Sequence, residues 1–132
     1  MKVEGQCHCG NIAYAAEVDP ERVHVCHCAD CQALSGSAFR VTVLAPAQTF
    51  RLISGQPKTY IKTADSGNRR VHAFCPDCGS PVYACAVSDP PTYSLRLGSL
   101  KQRLQLAPTR QIWCDSAMPW VDIGDLPRLA RQ

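Results

Sequence analysis

Cys75-Pro76-Asp77-Cys78-Gly79 has the form of a metal-binding turn. Two cysteines three positions apart on a tight turn can place both sulfur atoms on one tetrahedral ion. The proline fixes one backbone dihedral angle, and the glycine allows the left-handed conformation that turns backbone N–H groups toward sulfur. The turn supplies only two ligands, so a closed zinc site needs two more from elsewhere in the chain.

The chain offers a second pair of ligands in Cys7 and Cys9, close to the N-terminus. We expect these two cysteines to complete a four-thiolate zinc site with Cys75 and Cys78. Such a site is closed to exchangeable ligands, so it contributes folding free energy rather than chemistry. It would tie the N-terminal strand to a turn more than sixty residues later.

A third group of cysteines, Cys26-His27-Cys28-Ala29-Asp30-Cys31, contains three thiols. Three protein ligands are typical of catalytic zinc sites, in which the fourth position accepts water, a substrate thiol or a carbonyl oxygen. We therefore predict an open second zinc site at Cys26, Cys28 and Cys31. The alternative is a closed site, for which the candidate fourth ligands are Cys85, Cys114, His27, His72 and an aspartate.

The remaining cysteines and histidines are expected to have other roles. Cys85 lies between two alanines on an apparent strand, where a small buried thiol is expected. Cys114 is assigned to the core, with metal ligation or thiol reactivity as the alternatives. His27 is expected at the surface or near the site without contacting the metal, with proton donation as the alternative. His72 is expected to be a half-exposed strand residue.

Composition restricts the compartment and the partners. The chain has 132 residues and nine cysteines, an odd number that excludes complete internal disulfide pairing. No apolar stretch reaches the roughly 18 residues of a membrane span, and the N-terminus lacks the apolar region of a secretory signal. We therefore expect a cytoplasmic protein with reduced thiols. The formal net charge of +3 would be cancelled by two zinc ions on seven thiolates, so charge indicates neither nucleic acid nor a membrane as a partner.

Alternation of apolar and polar residues with a period of two dominates the chain between the cysteine groups. It predicts strands in segments 12–18, 23–25, 39–43, 50–54, 58–63, 69–74, 81–87, 92–97 and 110–114. Only segment 29–34 has helical character, so there is little room for crossover helices and antiparallel sheets are favoured. No linker or repeat is visible, and we predict one mostly β domain over residues 1–132.

Several stretches of the chain together resemble one protein family. They include Cys7-His8-Cys9-Gly10, Cys26-His27-Cys28-Ala29-Asp30-Cys31-Gln32 with Ser35-Gly36-Ser37-Ala38-Phe39, and Phe74-Cys75-Pro76-Asp77-Cys78-Gly79-Ser80. Further stretches are Ser54-Gly55, Lys58-Thr59-Tyr60, Ile112-Trp113, Pro119-Trp120 and Leu126-Pro127-Arg128. From about Val3 to Arg128, the sequence resembles the glutathione-dependent formaldehyde-activating family.

The resemblance implies a mostly β fold of coiled antiparallel sheets around zinc, like that of exchange-factor-like proteins and methionine sulfoxide reductases. It also implies a division of the metals by position. A structural zinc maps to Cys7, Cys9, Cys75 and Cys78, and a functional zinc maps to Cys26, Cys28 and Cys31. The implied activity is a carbon–sulfur lyase reaction in reverse, the condensation of a thiol such as glutathione with an aldehyde such as formaldehyde.

The expected partners are therefore a small thiol and an aldehyde. Glutathione carries two carboxylates, so its groove should contain cations or backbone donors. Candidate cations, each individually expected at the solvated surface, are Lys62, Arg69, Arg70, Arg96 and Arg110. Residues 35–37 follow the open site and either line a small polar pocket or form a turn.

Two other functions remain open on the sequence. One is a non-enzymatic, zinc-stabilised binding module in which both metals are structural, and a saturated second site would favour it. The other is a thiol redox enzyme that uses Cys114, indicated by the run Trp113-Cys114-Asp115-Ser116-Ala117 and by the implied relation to the reductases. The wider reductase signature is missing from the chain.

Overall fold

Ten β-strands and one short α-helix make up the structure, a computed structural model that describes residues 1–132. The strands are β1 (Lys2–Gln6), β2 (Ala13–Glu17), β3 (Val23–Cys26), β4 (Arg40–Pro46), β5 (Arg51–Ser54), β6 (Lys58–Thr63), β7 (Arg69–Phe74), β8 (Pro81–Ala86), β9 (Thr92–Arg96) and β10 (Arg110–Ile112). The helix, α1, spans Ala29–Ser35, and four single-turn 3-10 helices lie in the connections.

The strands form two sheets. The smaller is antiparallel with the order β1-β2-β5, and the larger has seven strands in the order β10-β3-β4-β9-β8-β7-β6. The prediction of antiparallel sheets holds for every pair except β10 and β3, which are parallel. The exception arises because residues 97–109 separate β9 from β10, a connection long enough to return the chain in the same direction.

The hydrophobic core lies between the two sheets. Its buried side chains come from β1 and β2 of the smaller sheet and from β3, β4, β8 and β9 of the larger one. Phe50 stacks on Tyr93 with a distance of 4.4 Å between ring centroids, and Leu100 and Leu106 from the crossover connection complete the cluster. The smaller sheet thus covers one face of the seven-stranded sheet.

The strands and the helix agree with the pattern in the sequence. Each segment predicted from alternation overlaps a strand, the predicted helical segment 29–34 lies within α1, and β1 is the one strand that the alternation did not predict. The helix ends at Gly36, which adopts a left-handed conformation with φ of +67°, so residues 35–37 form a turn as one of the two alternatives predicted. With seven residues in its single α-helix, the structure has no helix of the length and apolarity needed to cross a membrane.

Candidate metal centres and the adjoining cleft

The first sulfur cluster consists of Cys7, Cys9, Cys75 and Cys78, whose sulfur atoms all lie within 4.8 Å of one another. Two of these cysteines lie in the turn between β1 and β2, and two lie in the turn between β7 and β8. The Cys9 sulfur is 3.7 Å from that of Cys7 and 3.7 Å from that of Cys75. Zinc–sulfur bonds of about 2.3 Å in a tetrahedron place sulfur atoms about 3.8 Å apart, so the cluster fits a zinc ion.

Backbone and hydroxyl groups support this cluster. The N–H of Ile12 donates to the Cys7 sulfur at 3.2 Å, and Gly79 adopts φ of +77°, the left-handed conformation that the sequence predicts. The Ser80 hydroxyl lies 3.2 Å from the Cys78 sulfur. Hydrogen bonds from this hydroxyl and from the Ser80 N–H lower the pKa of the Cys78 thiol to about 5. Because the thiolate is the form that binds metal, these hydrogen bonds favour ligation by Cys78.

The second sulfur cluster consists of Cys26, Cys28 and Cys31, whose three sulfur atoms also lie within 4.8 Å of one another. Cys26 ends β3, Cys28 is the N-cap residue of α1, and Cys31 lies in its first turn. The N–H of Cys31 donates to the Cys28 sulfur at 3.2 Å. Hydrogen bonds from the Cys26 and Cys31 thiols, with this N–H, lower the pKa of the Cys28 thiol to about 2, and the bond shared with Cys28 raises the pKa of the Cys26 thiol. The positions of the three sulfur atoms would allow the cluster to hold a metal ion.

The side chains considered as a fourth ligand belong to neither cluster. Cys85 is buried on β8, which confirms the expectation of a core thiol, and His72 is half-buried on β7 as predicted. Cys114 is partly exposed, so the prediction that it lies in the core is wrong. The reason is that β10 ends at Ile112 and Trp113, with φ of +56°, turns the chain away from the sheet.

His27 is fully buried, which excludes the surface position predicted as one of its two placements. Its Nε2 atom lies 2.9 Å from the side-chain oxygen of Gln111, and its ring packs edge-on against Phe39. The same oxygen of Gln111 accepts a hydrogen bond from Arg128 at 3.3 Å. Burial follows because β10 covers this side of the β3–α1 connection, and that pairing was not visible in the sequence.

The face of the seven-stranded sheet opposite the core, which we call the outer face, carries polar and charged side chains. Side chains alternate between the two faces along each strand, so the pairing register identifies its members. The register places Cys26, Arg40, Arg96, His72 and Tyr60 there, among other polar residues. Cys26 of the second sulfur cluster lies directly opposite Arg40.

A cleft of about 370 Å³ opens on the outer face. Its lining includes Arg40, Arg96 and His72 from the sheet and Leu34 from α1. Leu34 lies three residues after Cys31, and residues at this spacing share one side of a helix. The cleft therefore lies near the second sulfur cluster, and its lining also includes Phe74 and Gly79, which flank the first.

The surroundings of the basic residues differ from those expected. Arg96 is only 8% exposed, so its predicted place at the solvated surface is wrong, and Arg40, which was not among the candidates, is 5% exposed. Both are buried because they lie on central strands, β4 and β9, beneath the cleft. Lys62 is partly buried and forms an ion pair of 2.8 Å with Asp30 of α1. Of the other candidates, Arg69 is exposed, and Arg70 and Arg110 are partly buried.

Two comparisons relate the chain to known proteins. A family model described as glutathione-dependent formaldehyde-activating enzyme matches residues 2–116, a range that includes both sulfur clusters and the cleft. Among solved structures, the crystal structure of a Rhodobacter sphaeroides protein from a structural genomics programme matches with a TM-score of 0.59 and 18% sequence identity. The match covers 95% of this chain and 98% of that chain. At this identity the likeness concerns the fold alone.

Proposed function

Because the chain belongs to the glutathione-dependent formaldehyde-activating enzyme family, we propose that it condenses a small thiol such as glutathione with an aldehyde such as formaldehyde. A carbon–sulfur bond forms between the thiol sulfur and the carbonyl carbon. The carbonyl double bond becomes a single carbon–oxygen bond, and the thiol proton ends on that oxygen. The product is a hydroxymethyl thioether adduct, a hemithioacetal, and the reaction is carbon–sulfur lyase cleavage in reverse.

The observation that carries this proposal is the difference between the two sulfur clusters, of which one has four members and the other three. We assign a structural zinc to the first cluster and a reactive zinc to Cys26, Cys28 and Cys31. Three protein ligands leave a coordination position for an exchangeable ligand. When bound there, zinc would supply Lewis acidity and favour the deprotonated form of a thiol.

Contacts around α1 position two members of the second cluster. The ion pair between Asp30 and Lys62 ties the first turn of the helix to β6. The side chain of Gln32 donates to the carbonyl of His27 at 2.9 Å and to that of Ser116 at 3.0 Å. These contacts fix the position of α1, which carries Cys31 and is capped by Cys28.

The same chemistry bears on where the protein works. Both clusters bind metal only as reduced thiolates, and a disulfide within either would remove two ligands. A reducing compartment such as the cytoplasm meets this requirement, and it is the location that we propose.

The proposal is tested by NMR exchange spectroscopy on the zinc-loaded protein with glutathione and formaldehyde. We expect the parent protein to accelerate the interconversion of free formaldehyde and its glutathione adduct. Cys31→Ser should lose this acceleration, because it removes one of the three sulfur ligands. Cys114→Ser is the matched control, since its partly exposed thiol lies in neither cluster and its loss should leave the rate unchanged.

Three results would contradict the proposal. Exchange no faster than in buffer, with glutathione and with a set of other small thiols, would exclude thiol–aldehyde condensation. Global unfolding of Cys31→Ser with loss of both metals would show that the second site is structural and would favour a binding module. Loss of the acceleration in Cys114→Ser would favour a reaction at that thiol.

A further inference from the structure

Two buried arginines on the outer face lack an acidic partner. Arg40 is 5% exposed and Arg96 is 8% exposed, and neither takes part in any of the three salt bridges. The Nε atom of each is buried without a hydrogen-bond partner. The nearby acid on α1, Asp30, is already paired with Lys62. Buried guanidinium groups are strongly unfavourable unless an acceptor compensates them, and both of these arginines line the cleft, so the arrangement points to an anionic ligand there.

His72 adds a third donor to the same cleft. The Arg96 guanidinium lies 3.1 Å from Nδ1 of His72. Burial, followed by the positive charges of Arg96 and Arg40, lowers the pKa of His72 to about 4, so the ring is neutral at pH 7. Because Nδ1 accepts from Arg96, the single ring proton lies on Nε2, which remains available to donate.

The charge of the cleft is positive beside the second sulfur cluster. Arg40 and Arg96 line the cleft, no acidic residue does, and Arg40 lies directly opposite Cys26. Sulfur is a weak hydrogen-bond acceptor, and the two Nε donors stay unpaired beside it. The oxygen atoms of a carboxylate match the donor fork of a guanidinium in both charge and geometry.

We propose that Arg40, Arg96 and His72 form a carboxylate-binding subsite, so that one of the two substrates is a small acid with its carboxylate close to the reacting thiol or aldehyde. The volume of about 370 Å³ suits a small molecule of this kind. That the bound acid is a substrate rests on the proposed function, whereas binding of a carboxylate can be measured without turnover. The carboxylate belongs to the thiol or to the aldehyde, and the chemistry of recognition is the same for both.

The direct probe is acetate, titrated into the zinc-loaded full chain and followed by NMR. The Nε–H signals of Arg40 and Arg96 and the ring signals of His72 should shift with one common dissociation constant. The pKa of His72 should rise, because a bound negative charge favours the protonated ring. Acetamide has the same size without the charge and should leave all three residues unchanged.

Variants distinguish binding of acetate at a specific subsite from its attraction by the overall charge of the protein. Arg96→Gln should weaken acetate binding at least about tenfold, the effect of one charge-assisted hydrogen bond. Arg96→Lys should bind with intermediate affinity, because lysine keeps the charge but lacks the planar fork. Arg51→Gln removes an exposed arginine from β5 in the smaller sheet and should bind acetate like the parent. If Arg96→Gln does not fold, the lysine variant and the parent titration decide the question.

Two pairs of compounds identify which substrate carries the carboxylate. On the thiol side 3-mercaptopropionate is compared with 2-mercaptoethanol, and on the aldehyde side glyoxylate is compared with acetaldehyde. Tighter binding of the acid in either pair, lost in Arg96→Gln, supports the subsite. Equal binding in both pairs, or equal shifts with acetate and acetamide, overturns it and leaves the arginines as partners of the cysteine thiolates. Carboxylate binding without condensation would keep the subsite and refute the proposed function, so the two failures are distinguishable.

Discussion

Gly5 on β1 is a position where the packing leaves no room for a side chain. It pairs with Tyr14 on β2, and a Cβ atom at Gly5 would overlap the ring of this tyrosine. The Tyr14 hydroxyl in turn lies 2.6 Å from the hydroxyl of Ser99. The glycine therefore lets a fully buried tyrosine reach across its strand to the crossover connection after β9.

We expect Gly5→Ala to lower the free energy of unfolding by about 1–3 kcal/mol, because the ring and its hydrogen bond must shift to accept the methyl group. Gly98→Ala is the matched control, since a Cβ atom there meets nothing within 4 Å. Urea unfolding at a fixed zinc concentration compares the two variants. An equal loss of stability in both would show that the contact with Tyr14 is not the cause.

At the residue scale, the sequence predicts the chemical role of a side chain better than it predicts which groups surround that side chain in the fold. The spacing of the cysteines separates them into the same two sets that the structure brings together. The burial of Arg40 and Arg96 depends instead on the pairing of β4 with β9, whose residues lie about fifty positions apart in the chain. A charged residue in an alternating strand ordinarily faces solvent, so only the register shows that these two face a cleft beside the second sulfur cluster.

At the element scale, β10 secures the connection between β3 and α1. The N–H of His27 donates to the carbonyl of Ile112 at 3.1 Å, and the side chain of Gln111 contacts both His27 and Arg128. One short strand thus joins the loop of the second cluster to the C-terminal segment. The sequence predicts a strand here, but three residues carry no pattern that would identify a parallel partner.

Gln111→Leu is expected to lower the free energy of unfolding by about 1–3 kcal/mol, because it leaves the buried His27 donor and Arg128 without their shared acceptor. Amide hydrogen exchange should also become faster in residues 26–28, which this contact holds. Gln48→Leu, at an exposed position, controls for the added apolar side chain and should change stability little. Unchanged stability and exchange in Gln111→Leu would mean that strand pairing alone holds the connection.

At the scale of the whole molecule, the first sulfur cluster links the two sheets. Cys7 and Cys9 follow a strand of the smaller sheet, and Cys75 and Cys78 connect two strands of the larger one. Cys9 and Cys75 are separated by 66 positions in the chain. The second cluster spans only residues 26–31. A metal at the first cluster would therefore close a long loop, and one at the second would restrict little of the chain.

This difference predicts that loss of the metal from the first cluster destabilises the protein more than loss of the metal from the second. Closing a longer loop removes more conformational entropy from the unfolded chain, and a closed four-thiolate site supplies folding free energy. Cys78→Ser should therefore lose about one of two zinc ions and melt at a clearly lower temperature, with destabilisation of several kcal/mol.

Cys31→Ser should also lose about one zinc ion but melt closer to the parent, and Cys114→Ser should match the parent in both respects. Metal analysis combined with calorimetry measures the two quantities on the same samples. A Cys78→Ser protein that kept both ions and melted like the parent would refute the structural assignment, and equal falls in Cys78→Ser and Cys31→Ser would remove the distinction between the sites.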